Sequence, residues 1–147
     1  DGTLVVSQQR KRLAWTHDTR GSCLVGETYS DAIHDKIARN AIFAVDAFPH
    51  GIYGVDMTLD DKGDPRVTEI NIGRFFTTIE FFAQAGVNFP DIACRIARGE
   101  KVKRIGANPL PNGLRWTRAI DALPVLSHVD GMVTRKTWQM NETYGLA

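Results

Sequence analysis

Asp56, Glu69 and Asn71 are the residues whose types and spacing best suit chemistry in this chain. Between the two acids lies Asp60-Asp61-Lys62-Gly63-Asp64-Pro65, a run of turn formers flanked by two β-prone stretches, 52–59 and 66–72. Such a segment folds back as a hairpin. With its turn centred between Lys62 and Gly63, Asp56 falls opposite Glu69. Side chains alternate along a strand, so Val67, Glu69 and Asn71 share one face and Thr68, Ile70 and Ile72 the other. Two carboxylates opposed across a ladder repel each other unless a cation sits between them. Two anionic oxygen donors and one neutral one suit Mg²⁺ (or Mn²⁺), which prefers oxygen and keeps positions open for water and phosphate. Gly73-Arg74 follows directly, a flexible joint and a guanidinium able to grip a phosphate or carboxylate with two bonds. The same residues also read as solvated side chains on the wet face of a sheet, and a one-residue slip would turn that face away.

The elements that must position this hairpin can be read in outline. Residues 3–16 form a strand region with a basic middle, Arg10-Lys11-Arg12, in which alternation sets Arg10 and Arg12 on one face and Lys11 on the other. A polar loop over 17–22 and a short strand over 23–28 follow. Ser30 or Asp31 caps a helix over 32–48, whose inner face is Ile33, Ile37, Ala41, Ala44, Val45 and Phe48. Pro49 and Gly51 end it. After the hairpin come helices over 78–84 and 90–98, closed by Gly86 and Gly99. Strands near 114–120 and 132–138 complete the chain. Phe75, Phe76, Phe81 and Phe82 read as core or lobe-contact residues.

The segments Gly54-Val55-Asp56-Met57 and Gly63-Asp64-Pro65-Arg66-Val67-Thr68-Glu69-Ile70-Asn71-Ile72-Gly73-Arg74 resemble the metal-binding hairpin of the ATP-grasp superfamily. The likeness is to members related to the carbamoyl phosphate synthetase large subunit and to biotin carboxylase. Those families carry an acidic or amide residue, then a Glu-x-Asn pair on the returning strand, followed closely by Arg. They often have one residue between Asn and Arg; here Ile72 and Gly73 make two. The resemblance spans about 3–100 and is specific over 54–74. It implies an α+β fold, the C-terminal lobe of the ATP-grasp domain, with a mostly antiparallel sheet and packed helices. Asp56, Glu69 and Asn71 would hold Mg²⁺ bridging the phosphates of ATP, with Arg74 on the γ-phosphate or on an acyl phosphate. Arg10, Arg12 and His17 would lie toward the nucleotide, and Arg20, beside Gly21, toward an anionic substrate. The implied partners are ATP, a small carboxylate, and an amine or ammonia. Arg115 reads first as an exposed strand residue and second as a candidate at the mouth of the site.

Composition bounds the rest. The chain has 147 residues, enough for one domain or one lobe, 43% hydrophobic and 24% charged, with a net charge of +1. That balance calls for neither nucleic acid nor a membrane surface as partner, and no run of about 18 apolar residues offers a membrane span. Cys23 and Cys94 fall outside any CxxC spacing and are expected to be buried free thiols. With no signal-peptide pattern, the expected location is cytoplasmic. Neither GxGxxG nor GxxxxGK[ST] is present. The expectation is therefore a single partial ATP-grasp domain, a core lobe over about 1–100 and an extension over about 101–147, opening inside a hairpin at Asp1-Gly2. It would pair with a missing N-terminal lobe or self-associate through the exposed interface. The alternatives are a non-catalytic assembly module that docks through the open sheet and Phe43, and a small phosphate-binding domain.

Overall fold

The computed structural model describes residues 2–17, 20–119 and 122–128. Its elements are β1 (Val6–Ser7), β2 (Gln9–His17), β3 (Arg20–Tyr29), α1 (Ala32–Val45), β4 (Tyr53–Leu59), β5 (Pro65–Ile72), α2 (Glu80–Gln84), α3 (Phe89–Ala97), β6 (Gly106–Ala107), β7 (Leu114–Ala119) and β8 (Ala122–His128). This is a mixed α+β arrangement with mostly antiparallel pairing. A four-stranded antiparallel sheet runs in the order β2-β3-β7-β8, β4 and β5 form a separate hairpin, and β1 pairs in parallel with β6. The strand expected over 132–138 lies outside the described residues.

The expected loop over 17–22 is instead the tip of a tight hairpin, because His17 pairs with Arg20 and β3 extends over ten residues. Gly21 makes that tip possible. Its φ is +91°, and a Cβ there would sit 2.3 Å from the Thr16 hydroxyl that accepts the Ser22 N–H.

The core is one aromatic cluster beneath the sheet. Phe81, Phe82, Val87, Leu110 and Trp116 are buried, and Val6, Phe76, Ile79, Phe89, Ile92 and Leu114 pack around them. Phe81 stacks on Trp116 with ring centroids 6.3 Å apart. The short helix α2 thus delivers two consecutive phenylalanines inward, each worth about 1.5–3 kcal/mol of apolar burial. Fully buried Thr28 ties the following loop to β3: its hydroxyl donates to the Pro111 carbonyl at 2.6 Å and accepts from Leu114 N–H at 3.0 Å. Asn108, held at φ +49°, joins three segments. Its backbone N–H donates to Ser7, its side-chain oxygen accepts from Gln9 N–H, and its amide donates to Asp35 at 2.6 Å.

Asp31 caps α1 as expected, accepting from Ile33 and His34 N–H at 2.7 and 3.1 Å. The helix ends sooner than expected, at Val45. Asp46 is extended, accepts from Phe48 N–H, and takes a hydrogen bond from the Tyr53 hydroxyl at 2.5 Å, which pulls the chain into β4. The expected inner face holds at Ile37 and Ala41, which are half-buried, and is corrected at Ile33, Ala44, Val45 and Phe48, which are exposed. Ile33, Val45 and Phe48 are 64%, 59% and 82% exposed, while His34, Asp35, Ala38 and Ile42 are half-buried. Polar bonds orient the helix: His34 Nδ1 meets the Tyr29 hydroxyl at 2.8 Å, and Asp35 meets Asn108.

Candidate functional site

The hairpin register carries the site. Tyr53 pairs with Ile72, Gly54 with Asn71, Val55 with Ile70 and Asp56 with Glu69. Beyond Asp56 the ladder shifts by one residue, so that Met57 faces Val67 and Thr58 faces Arg66. The bulge leaves Thr68 as the extra residue, and its hydroxyl donates to the Asp56 carbonyl. At the turn, Asp60 accepts from the N–H groups of Lys62 and Asp64 and from the Arg66 guanidinium, which holds its carboxyl below the usual carboxylate range. The turn is centred on Lys62 rather than between Lys62 and Gly63, a register that by itself would set Asp56 against Thr68. The bulge at Thr68 restores Glu69 as the partner of Asp56 and takes Val67, now opposite Met57, off the face expected for it.

Cations from two directions meet these acids. Arg12, on β2, reaches across to Asp56 with 2.6 Å between Nη2 and Oδ2. Arg74 returns over the hairpin: its guanidinium binds the Asn71 side-chain oxygen through Nε (2.7 Å) and Nη2, and lies 3.5 Å from Glu69 Oε1. The two-residue gap before Arg74 is accommodated because Gly73 adopts φ +75° while its N–H donates to the Ile52 carbonyl, turning the chain out of the strand and the arginine back. All four charged groups keep solvent access, with Glu69 54% and Arg74 69% exposed.

Arg10 lies deeper. Its guanidinium stacks over the Phe76 ring at 4.1 Å, and Nη1 is buried with no hydrogen-bond partner. Burial lowers its pKa below the ordinary guanidinium value; Cys23 and Asp56 act in the opposite sense, and Arg12 with it. Arg10 and Arg12 thus sit on the side of β2 that faces the core and hairpin. Lys11 is on the other side, as the alternation requires.

That other side holds a carboxylate which the sequence did not single out. Glu27 pairs with Lys11 across β2-β3 and with Arg115 across β3-β7. Its side chain is 7% exposed and lies 2.5 Å from Lys11 Nζ and 2.7 Å from Arg115 Nε. The Lys11 hydrogen bond, assisted by Arg115, holds its carboxyl below the usual range against the opposing effect of burial. Arg115 is therefore the structural partner of Glu27, the plainer of its two readings. The only signal for this row in the sequence was Glu27 standing opposite a basic strand.

His17 and Arg20 are not brought to the hairpin. They pair at the far tip of β2-β3, five residues or about 17 Å of strand beyond Arg12. Cys23 is a buried free thiol as expected, but free Cys94 is exposed on α3.

Among the described residues no three His, Cys, Asp or Glu side chains gather to hold a metal. A divalent ion at the hairpin would depend on the Asn71 oxygen as third donor beside Asp56 and Glu69. The donor chemistry fits a hard cation, since all three donors are oxygen and two are anionic. Among the described residues no helix is long and apolar enough to cross a membrane. No family model, curated protein or solved structure matches the chain.

Proposed function

We propose that this chain carries the metal- and phosphate-binding lobe of an ATP-dependent carboxylate–amine ligase of the ATP-grasp, carbamoyl phosphate synthetase-like kind. The supporting observation is the single rung that sets Asp56 against Glu69, with Asn71 beside it and Arg12 and Arg74 converging on it. In this reading Asp56, Glu69 and Asn71 hold the Mg²⁺ that accompanies ATP. When bound, the ion neutralises phosphate charge, which is most of what phosphoryl transfer asks of a protein. Arg12 and Arg74 hold phosphoryl oxygens through paired N–H groups, and Arg10 adds a fixed positive charge behind them. ATP phosphorylates a carboxylate, giving ADP and an acyl phosphate, and a nitrogen nucleophile then displaces phosphate. The reading needs a second lobe to cover the phosphates, expects a cytoplasmic setting, and leaves His17 and Arg20 without a role.

The test is Mg²⁺-dependent ADP release by the intact protein across a panel of small carboxylates with ammonia, comparing wild type with Glu69→Ala. Loss of release in the variant supports the assignment; equal rates overturn it.

A non-catalytic assembly module is the second reading, favoured by the apolar side chains that α1 and its exit present to solvent, Ile33, Val45 and Phe48. Titration with Mn²⁺ and nucleotide separates the two. The module reading expects no binding that depends on Asp56.

A further inference from the structure

The two exposed arginines stand on the very oxygens that a divalent cation would use. Arg12 occupies Oδ2 of Asp56, and Arg74 occupies the Asn71 oxygen and flanks Glu69. A guanidinium and a divalent ion compete for the same lone pairs. The metal can therefore bind fully only after the arginines have let go. Neither arginine is anchored by the core: Arg12 is about one-third exposed and Arg74 two-thirds. Among the described residues each is held by its carboxylate or amide partners alone, contacts that water and salt readily loosen where both partners keep solvent access. Displacement is therefore cheap, provided the released guanidinium finds another partner.

Charge identifies that partner. Arg12 and Arg74 balance Asp56 and Glu69, and Arg10, two residues from Arg12 along β2 and with no ion pair of its own among the described residues, adds a third cation beside them. Arg10 cannot move out to relieve the excess, because it is packed on Phe76. Adding a divalent ion raises the local excess from one positive charge to three. The arrangement then calls for an anion of matching charge, and freed guanidinium groups match phosphate oxygens with paired N–H donors.

We propose that Arg12 and Arg74 are exchangeable counter-ions: without ligand they occupy the carboxylate and amide oxygens of the hairpin, a phosphate anion draws them off, and a divalent cation takes the vacated oxygens, so that cation and anion each strengthen the binding of the other. This deepens the ligase reading and rests on it. The coupling is reciprocal by thermodynamic necessity.

The test uses the full chain, with Mn²⁺ as the metal and inorganic phosphate as the anion. Free Mn²⁺ is read by electron paramagnetic resonance, and protein-free titrations correct for Mn²⁺–phosphate association. Wild type should bind Mn²⁺ weakly alone and about 10-fold more tightly with saturating phosphate. Arg12→Gln/Arg74→Gln should bind Mn²⁺ alone more tightly than wild type and lose the phosphate effect. Arg12→Lys/Arg74→Lys, which keeps the charges, should retain part of the effect and controls for misfolding. Equal Mn²⁺ affinity with and without phosphate in wild type, with both double variants unchanged, overturns the exchange while leaving the metal site standing. Absence of Asp56-dependent Mn²⁺ binding in every protein and condition overturns the ligase reading and the exchange together.

Discussion

Two cation–carboxylate clusters lie on opposite sides of β2, and they differ in everything but their chemistry. On one side Glu27 is enclosed, fixed from both neighbouring strands by Lys11 and Arg115 in one cross-strand row. On the other, Asp56 and Glu69 share a rung of a separate hairpin and take Arg12 from β2 and Arg74 from just beyond β5. In the first cluster one anion has two cations and almost no water, so it acts as a clasp in the sheet. In the second, two anions repel across the ladder and are themselves partly in solvent. A carboxylate satisfied on all sides holds strands together, whereas one held by a removable partner is available to a ligand. Burial and the source of the partner separate the two roles, not residue type.

The largest effect expected from breaking this contrast is on the open side. Glu69→Ala should lower Mg²⁺-dependent ADP release by the intact protein about 100-fold or more, as expected when a preorganised charge-stabilising group is removed. It should leave the thermal midpoint nearly unchanged, because Glu69 is exposed. Glu27→Ala should do the reverse. Losing its charge-assisted hydrogen bonds should destabilise the chain by about 2 kcal/mol, read as a shift in the urea midpoint, while Mn²⁺ binding at the hairpin persists. Asp56→Asn is smaller still, within about 1 kcal/mol of wild type in stability, since its partner is a half-exposed arginine. If Asp56→Asn proved as costly as Glu27→Ala, the distinction between clasp and site would fail.

Acid titration sharpens the same comparison. The Glu27 carboxyl is lowered from 4.5 in the folded chain. Its contribution is therefore fully present above pH 4.5 and lost as pH falls through the lower folded value. Stability measured from pH 5 downward should fall less steeply in Glu27→Gln than in wild type. A slope unchanged by the substitution would show that the row does not contribute in this way.

The hairpin was legible in the sequence because its information is local. Turn formers at 60–65 place the hairpin, but the Asp56–Glu69 pairing also needs the bulge at Thr68, because the turn itself sets Leu59 against Pro65, and no residue pattern announced that bulge. Asp31 as a cap and the helix over 89–97 were legible for the same reason. What stayed hidden depended on partners far along the chain. The Arg12–Asp56 contact joins residues 44 apart, and nothing near Arg12 announces it. The inner face of α1 was legible at Ile37 and Ala41 but misjudged at its two ends, because periodicity weighs apolar residues while the orientation is also set by Tyr29–His34 and Asn108–Asp35. Strand β8 was missed because Pro124 argues against a strand, yet β8 lies at the sheet's edge, where a missing N–H is tolerated.

Asn108 also bears on the order in which the molecule can assemble. Its bonds to Gln9 and Asp35 close loops of 99 and 73 residues, and such distant closures are slow steps because chain entropy is lost before the contact rewards it. On a ribosome, β2, α1 and the hairpin leave first, but the residue that ties the start of β2 to the start of α1 leaves much later. Until then β2 and α1 are joined by nearer contacts, Gln9 to the Asp31 carbonyl and Tyr29 to His34. The Asn108 bonds are thus the last lock on an arrangement of β2 and α1 whose nearer ties are made from residues synthesised early.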